Sequence, residues 1–141
     1  MKFTEGYWLR SEYANSLYAM QVYEVEEIEN GMRILAPVGP VASRGATLNM
    51  PVITIEFTAA AENVISVRAW HYEAYDRKEP RFEMDRPSCS CCFTRDEKEA
   101  VLTAGDVSVH VSLEGWEYSF WAGGKKLTSC GFRNLGYIRW N

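Results

Sequence analysis

The stretch VSVHVSL at residues 107–113 decides the fold class. Its valines and the final leucine recur at every second position, with Ser108, His110 and Ser112 between them. Successive side chains of a β-strand point to opposite faces of a sheet. The spacing therefore predicts a half-buried strand with its valines toward a core and its polar residues toward solvent.

The same alternation recurs along the chain. It is clear in three further runs, which are Ile53/Ile55/Phe57, Ile65/Val67/Ala69 and Trp116/Tyr118/Phe120. Weaker strand patterns lie at 20–25 and 32–36. Trp70 and Trp121 fall on the opposite phase from the core residues of their runs, so they are predicted to cover a second surface.

Turn residues separate these runs. Asn30-Gly31 and Gly123-Gly124 each predict a hairpin, and Ala104-Gly105-Asp106 divides a run at 99–103 from the valine strand. Helical patterns are short: 11–20 is the best helix candidate, and 59–63 looks like a single turn. Many short strands with regular turns predict an all-β fold, an antiparallel β-sandwich.

Size and charge narrow the function classes. With 141 residues, the chain is predicted to be one domain, 1–141. Its formal net charge of -4 gives no electrostatic footprint for nucleic acid. No stretch has the roughly 18 apolar residues of a membrane span, and the N-terminus has no apolar run, so we expect a cytoplasmic protein without a membrane partner. The charged stretch at 73–87 is predicted to be a long exposed loop.

Four cysteines raise the question of a metal site. Cys89, Cys91 and Cys92 cluster, and Cys130 is distant. A zinc site usually needs a second cysteine pair or histidines at suitable spacing, which this chain lacks. In a strand, residues 89, 91 and 93 would share one face while serine and threonine fill most of the other, so a core strand with buried thiols is the favoured interpretation. A metal site and a redox or disulfide role remain the alternatives.

No reaction centre emerges from the pattern. Neither His71 nor His110 has a nearby acidic partner at a recognisable spacing, and no glycine loop could cradle a phosphate. No pair of carboxylates stands out for glycoside hydrolysis. We therefore predict no catalytic residue, no metal and no cofactor in this chain.

Several blocks carry a resemblance to a known family. QVYEVEEIENGMRILAP, RGATLNMPVITIEF, NVISVRAWHYEA and GDVSVHVSLEGWEYSFWAGGKKLTS occur in an order and spacing similar to those of the N-terminal domain of glycoside hydrolase family 31. Within that family the chain most resembles the bacterial α-xylosidase branch. The resemblance implies a sandwich of the galactose-mutarotase type that precedes a catalytic (β/α)8 barrel, whose aspartates carry out the reaction.

The resemblance also implies a site. The family's N-terminal domain sends a loop to the rim of the sugar pocket, and that loop corresponds to 44–50 here. It gives substrate-binding roles to Asn49 and its neighbour Leu48, with Arg44 in a salt bridge or an interdomain contact. The expected partners are the C-terminal barrel and the carbohydrate substrate of a retaining α-glycosidase, and a homo-oligomer of that enzyme stays open.

Two alternatives remain. A free-standing carbohydrate-binding module would need an exposed aromatic platform for a sugar ring. A sugar epimerase of the mutarotase type would need a general base, for which His110 would have to serve with a carboxylate opposite.

Overall fold

A computed structural model describes residues 11–71 and 89–141. Within these two ranges the chain forms eleven strands and one 3₁₀ turn. The elements in chain order are β1 (Ala14–Tyr18), β2 (Glu24–Ile28), β3 (Gly31–Pro37), the 3₁₀ turn (Arg44–Thr47), β4 (Val52–Ala61), β5 (Val64–Trp70), β6 (Cys92–Arg95), β7 (Glu99–Ala104), β8 (Val107–Ser112), β9 (Tyr118–Ala122), β10 (Lys125–Cys130) and β11 (Gly136–Trp140).

The strands form two main sheets and a ribbon, all antiparallel. One sheet has the order β2-β3-β4-β5, and the other has the order β10-β9-β8-β7-β6. Strands β1 and β11, from opposite ends of the described chain, pair as a two-stranded ribbon. The predicted all-β antiparallel sandwich is confirmed.

The core lies between the inner faces of the two sheets. Alternate residues of β3 and β4 are buried, as are alternate residues of β7 and β8. Phe57 is fully buried, and its ring meets those of Tyr118 and Phe120 from the facing sheet at centroid distances of 5.1 and 6.3 Å. The predicted core face of the 116–120 run is therefore confirmed, and Trp116 is buried with it.

A contact between two turns closes one end of the sandwich. The Asn63 side chain, in the turn between β4 and β5, accepts a hydrogen bond from the amide of Asp106 at 2.5 Å. The Asn63 amide donates to the carbonyl of Ala104 at 3.2 Å. Gly105 between them has φ +63°, and a Cβ there would collide with the Asn63 side chain. The turn predicted at 104–106 is thus also a point of attachment between the sheets.

Three hairpin turns match their sequence signals. Asn30 has φ 55° at the β2–β3 turn, and Gly123 and Gly124 have φ 55° and 72° at the β9–β10 turn. Asparagine and glycine are the residues that best tolerate this left-handed region. The three predicted turns therefore fix the pairings β2–β3, β7–β8 and β9–β10.

Two local predictions were wrong. The helix proposed at 11–20 is strand β1, whose register pairs Ala14 with Trp140. A short helical pattern without tertiary support is marginal, whereas strand β1 pairs with β11 along all five of its residues. The single turn proposed at 59–63 is the end of β4, which continues to Ala61 through a register shift before the turn at Asn63.

The edge strand β5 also departs from its predicted pattern. Ile65 packs against the core, but Val67 is 43% exposed. Because β5 pairs only with β4 among the described strands, Val67 has no neighbouring strand on its other side to cover it.

The cysteine-rich stretch forms a shorter strand than predicted. β6 begins at Cys92, and Cys89 precedes it. Cys91 and Phe93 pack against the core, as the alternation predicted, and Cys92 is exposed. All four thiols are free, and burial raises the pKa of the Cys91 thiol. In the described part of the chain, no three potential ligands converge on a metal position.

The loop predicted at 73–87 lies outside the described residues. No helix in the ranges that are described is long and apolar enough to cross a membrane.

Candidate functional site

The predicted site residues lie in the connection between β3 and β4. The 3₁₀ turn occupies its centre, where the amide of Ala46 donates to the carbonyl of Ser43 at 3.0 Å. The Thr47 hydroxyl donates to the carbonyl of Arg44 at 2.7 Å, and the Leu48 amide donates to that of Gly45 at 3.2 Å. These local bonds give the 43–51 loop a defined shape although none of the residues in its 3₁₀ turn is buried.

The base of this loop is attached to the sandwich at two points. The amide of Val38 donates to the carbonyl of Pro51 at 3.1 Å, which closes the loop where β3 and β4 meet. The Val41 amide donates to the side-chain oxygen of Gln21 at 3.0 Å. Under the base lies an apolar cavity of about 110 Å³, lined by Tyr23, Leu35, Pro37, Val41, Thr47, Met50 and Val52.

The tip of the loop projects from the sandwich. Leu48 is 75% exposed, and the exposed Asn49 has φ +61°. Asparagine is one of the few residues with a side chain that adopts this conformation readily. Within 11–71 and 89–141, the Asn49 amide has no hydrogen-bond partner. The structure therefore places both predicted residues side by side, with a free donor and acceptor beside a free apolar side chain.

Arg44 is also exposed on this loop. Its predicted salt bridge has no counterpart among the described residues. The interdomain contact stays a prediction.

A second polar site, which sequence reasoning missed, lies on the outer face of the five-stranded sheet. His110 Nδ1 is 3.1 Å from Glu99 Oε2, and His110 Nε2 is 3.0 Å from the Ser108 hydroxyl. The prediction that His110 lacks an acidic partner was therefore wrong. Counting outward from the predicted turn at Gly105 pairs Glu99 with Ser112, which lies two positions from His110 on the same face of the sheet. This register was the sequence signal that could have predicted the contact between Glu99 and His110.

These residues surround a cavity of about 400 Å³, which we term the outer basin. It is lined by Asp96, Lys98, Glu99, His110, Ser112, Glu114, Glu117 and Ser119. The Asp96 carboxylate accepts hydrogen bonds from the backbone amides of Glu99 and Lys98 at 2.8 and 2.7 Å, and these bonds lower the pKa of Asp96. Lys126 Nζ donates to Glu117 at 2.9 Å.

The Ser108–His110–Glu99 arrangement has the order of a nucleophile, a base and an orienting acid. Acyl transfer also needs backbone amides aimed at an oxyanion. β8 lies between β7 and β9, so its amides are engaged in the sheet. The contacts of His110 with Ser108 and Glu99 hold the imidazole in one orientation on the outer face of the sheet.

The second histidine has a different environment. His71 stacks on Tyr137 with ring centroids 3.8 Å apart and planes 13° from parallel. It borders a cavity of about 230 Å³ at the end of β5.

Comparison with known proteins points to one class of enzyme. No protein-family model matches the chain. The α-xylosidase XylQ of Lactiplantibacillus pentosus is 30% identical over 129 residues, which cover 91% of this chain and 17% of XylQ. An α-xylosidase of Emericella nidulans is 26% identical over 147 aligned positions, which cover 98% of this chain and 19% of that enzyme.

The chain thus spans less than a fifth of the length of these two relatives. The similarity extends over nearly all of the chain, as an equivalent domain in a larger enzyme would require. The predicted resemblance is confirmed: the chain is a relative of the α-xylosidases, consistent with the N-terminal domain of a glycoside hydrolase family 31 enzyme.

Proposed function

We propose that residues 1–141 are the accessory N-terminal β-sandwich domain of a retaining α-glycosidase that acts on α-xylosides. The observation that carries this proposal is the coverage of the two α-xylosidases, which match almost the whole chain with less than a fifth of their own length. A single sandwich of this size leaves most of such an enzyme to other domains. The catalytic (β/α)8 barrel implied by the family resemblance is the proposed partner.

The 43–51 loop is the proposed contact with substrate. Its base is held by hydrogen bonds to the sandwich, and its tip exposes Leu48 and Asn49 without partners in the described structure. A tip of this kind is held in shape before it meets a partner, which lowers the entropy cost of binding. Asn49 would donate to or accept from a sugar hydroxyl, and Leu48 would pack on the apolar face of the sugar or on the barrel rim.

Catalysis is assigned to the barrel rather than to this domain. Within the described sheet, β8 pairs on both sides, so the backbone amides beside His110 are engaged and offer no oxyanion site. We therefore expect this domain alone to leave α-xylosides intact. We also place the enzyme in the cytoplasm, because all four thiols are free and disulfides are favoured in oxidising compartments.

Asn49→Gly in the full-length enzyme tests the loop. Glycine tolerates the left-handed backbone, so the substitution removes the Asn49 side chain without straining the loop. Loss of one hydrogen bond to a neutral sugar hydroxyl corresponds to roughly 0.5–1.5 kcal/mol, or about a 2- to 10-fold fall in kcat/KM on an aryl α-xyloside.

Asn30→Gly is the matched control, because Asn30 is exposed with φ 55° in the β2–β3 turn. Its kcat/KM should equal that of the unmodified enzyme. Equal kcat/KM for both variants would remove Asn49 from the substrate pocket.

A further inference from the structure

The outer basin has an aromatic flank. Trp121 follows Ser119 on the same face of β9, and its indole Nε1 donates to the Ser119 hydroxyl at 2.9 Å. Its ring centroid lies 5.5 Å from that of His110, with planes 49° apart. These two contacts fix the half-buried indole beside the cavity, so an aromatic surface adjoins a polar depression.

The charges of the basin are largely compensated. Three of its four carboxylates already have partners: Asp96 accepts two backbone amides, Glu99 meets His110, and Glu117 pairs with Lys126. The lining therefore offers both hydrogen-bond donors and acceptors, and it is not a cluster of unpaired carboxylates. The remaining excess of negative charge, to which Glu114 adds without an ion-pair partner in 11–71 or 89–141, disfavours an anionic ligand.

We propose that the outer basin is a second carbohydrate site, which binds a neutral pyranose ring of an oligosaccharide. A pyranose presents hydroxyls that both donate and accept, together with an apolar C–H face suited to an indole. The volume of about 400 Å³ lies within the range of small-molecule clefts. The choice of a sugar rests on the proposed function, but the cavity and its lining do not depend on the 43–51 loop.

The basin and the loop lie toward the same end of the sandwich. The turn after β8 is attached there, because the amide of Val22 donates to the carbonyl of Gly115 at 2.9 Å. The adjacent Gln21 anchors the 43–51 loop through Val41. The Asn63 contact closes the other end of β4, about 30 Å away for a strand of ten residues. The basin and the 43–51 loop therefore lie on different sheets but toward the same end of the sandwich.

The test is titration of the 141-residue chain, labelled with ¹⁵N, with xylose, isoprimeverose and glucuronate. We expect saturable shifts in the amide signals of Ser112 and Ser119 and in the indole signal of Trp121, with millimolar dissociation constants for the neutral sugars. Glucuronate should bind at least 5-fold more weakly, because its carboxylate meets the acidic lining.

Trp121→Ala should weaken binding of isoprimeverose at least 10-fold. Trp140→Ala, which removes an exposed tryptophan from the β1–β11 ribbon, is the matched control and should bind as the unmodified chain does. Ser112→Val is the second variant, since valine is favoured in a strand and fills the basin without removing a hydrogen-bond partner of His110. It should also weaken binding about 10-fold.

Three results would overturn the proposal. The first is the absence of shifts at sugar concentrations up to 50-fold above 1 mM. The second is a set of shifts confined to residues 43–51. The third is equal binding of isoprimeverose by the Trp121→Ala and Trp140→Ala chains. None of them bears on the kcat/KM of Asn49→Gly in the full-length enzyme, so failure of the basin and failure of the loop are distinguishable.

Discussion

The 43–51 loop and the outer basin present polar groups in opposite ways. The loop exposes Leu48 and Asn49 on a projecting tip, and the part of the chain that the structure describes gives it no facing wall. The basin is a depression whose side chains already bond one another, as His110 does with Glu99 and Ser108. A projecting tip can complete a pocket that another domain begins, whereas a walled depression can bind a ligand by itself. The proposed loop site is thus incomplete without another domain, whereas the proposed basin site is self-contained.

The largest effect should come from the core on which both sites depend. Phe57→Ala removes the ring that joins the two sheets through Tyr118 and Phe120, and should lower the free energy of unfolding by about 3–5 kcal/mol. Leu48→Ala, on the exposed tip, should change it by at most about 0.5 kcal/mol. Urea denaturation measures both. Similar losses for the two variants would show that the loop is part of the core.

Gly105→Ala should destabilise the strands that carry the outer basin more than it destabilises the 43–51 loop. Alanine at φ +63° is strained, and its Cβ collides with Asn63, so we expect a loss of about 1–3 kcal/mol in the free energy of unfolding. Hydrogen exchange should rise in β7 and β8, which carry Glu99 and His110, before it rises near Asn49. Gly115→Ala is the control, because no atom lies within 4 Å of its added Cβ, and it should be nearly neutral.

Alkaline pH should loosen the sheet beneath the basin. Burial, aided by a hydrogen bond with Cys130, raises the pKa of the Tyr118 phenol. Because the folded state holds this proton more tightly than the unfolded chain, whose phenol titrates near pH 10, stability is complete below about pH 10 and falls as the pH rises above it.

Tyr118→Phe has no phenol to ionise, so its melting temperature should fall less between pH 9 and pH 11 than that of the unmodified chain. Equal decreases in melting temperature in the two proteins would mean that ionisation of Tyr118 is not the cause of the alkaline loss of stability.

The smallest effect on stability belongs to the loop. Asn49→Gly should shift the free energy of unfolding by no more than a few tenths of a kcal/mol, because glycine tolerates φ +61° and the amide has no partner among the described residues. Differential scanning calorimetry of the isolated chain measures this shift. A loss above about 1 kcal/mol in the free energy of unfolding would show that the Asn49 amide contributes to the stability of the fold, and the loop would then not differ from the basin in this respect.

Alternation and turn residues predicted most of the sandwich because both act locally. The run at 107–113 and the glycine turns are each contained in a few residues, and they appear as β8 and its neighbouring hairpins. β1 was missed because its partner β11 lies more than a hundred residues away, and no local pattern records that pairing.

The two sites differ in the same respect. Asn49 and Leu48 entered through the family resemblance, and both are exposed at the tip of the 43–51 loop. The His110–Glu99 contact could have been inferred from the register of the two strands on either side of the Gly105 turn. It was missed because the two residues are eleven positions apart in the sequence. The walls of the basin come from three strands, β7, β8 and β9, and from the turns before β7 and after β8, and only the assembled sheet brings them together.

The most direct test of the account is the hydrolysis of an aryl α-xyloside by the 141-residue chain alone and by the full-length enzyme. We predict no turnover by the purified chain, turnover by the full-length enzyme, and a 2- to 10-fold lower kcat/KM when Asn49 is replaced by glycine in the latter. Turnover by the chain alone, abolished by His110→Ala, would contradict the assignment and place a catalytic centre within the sandwich.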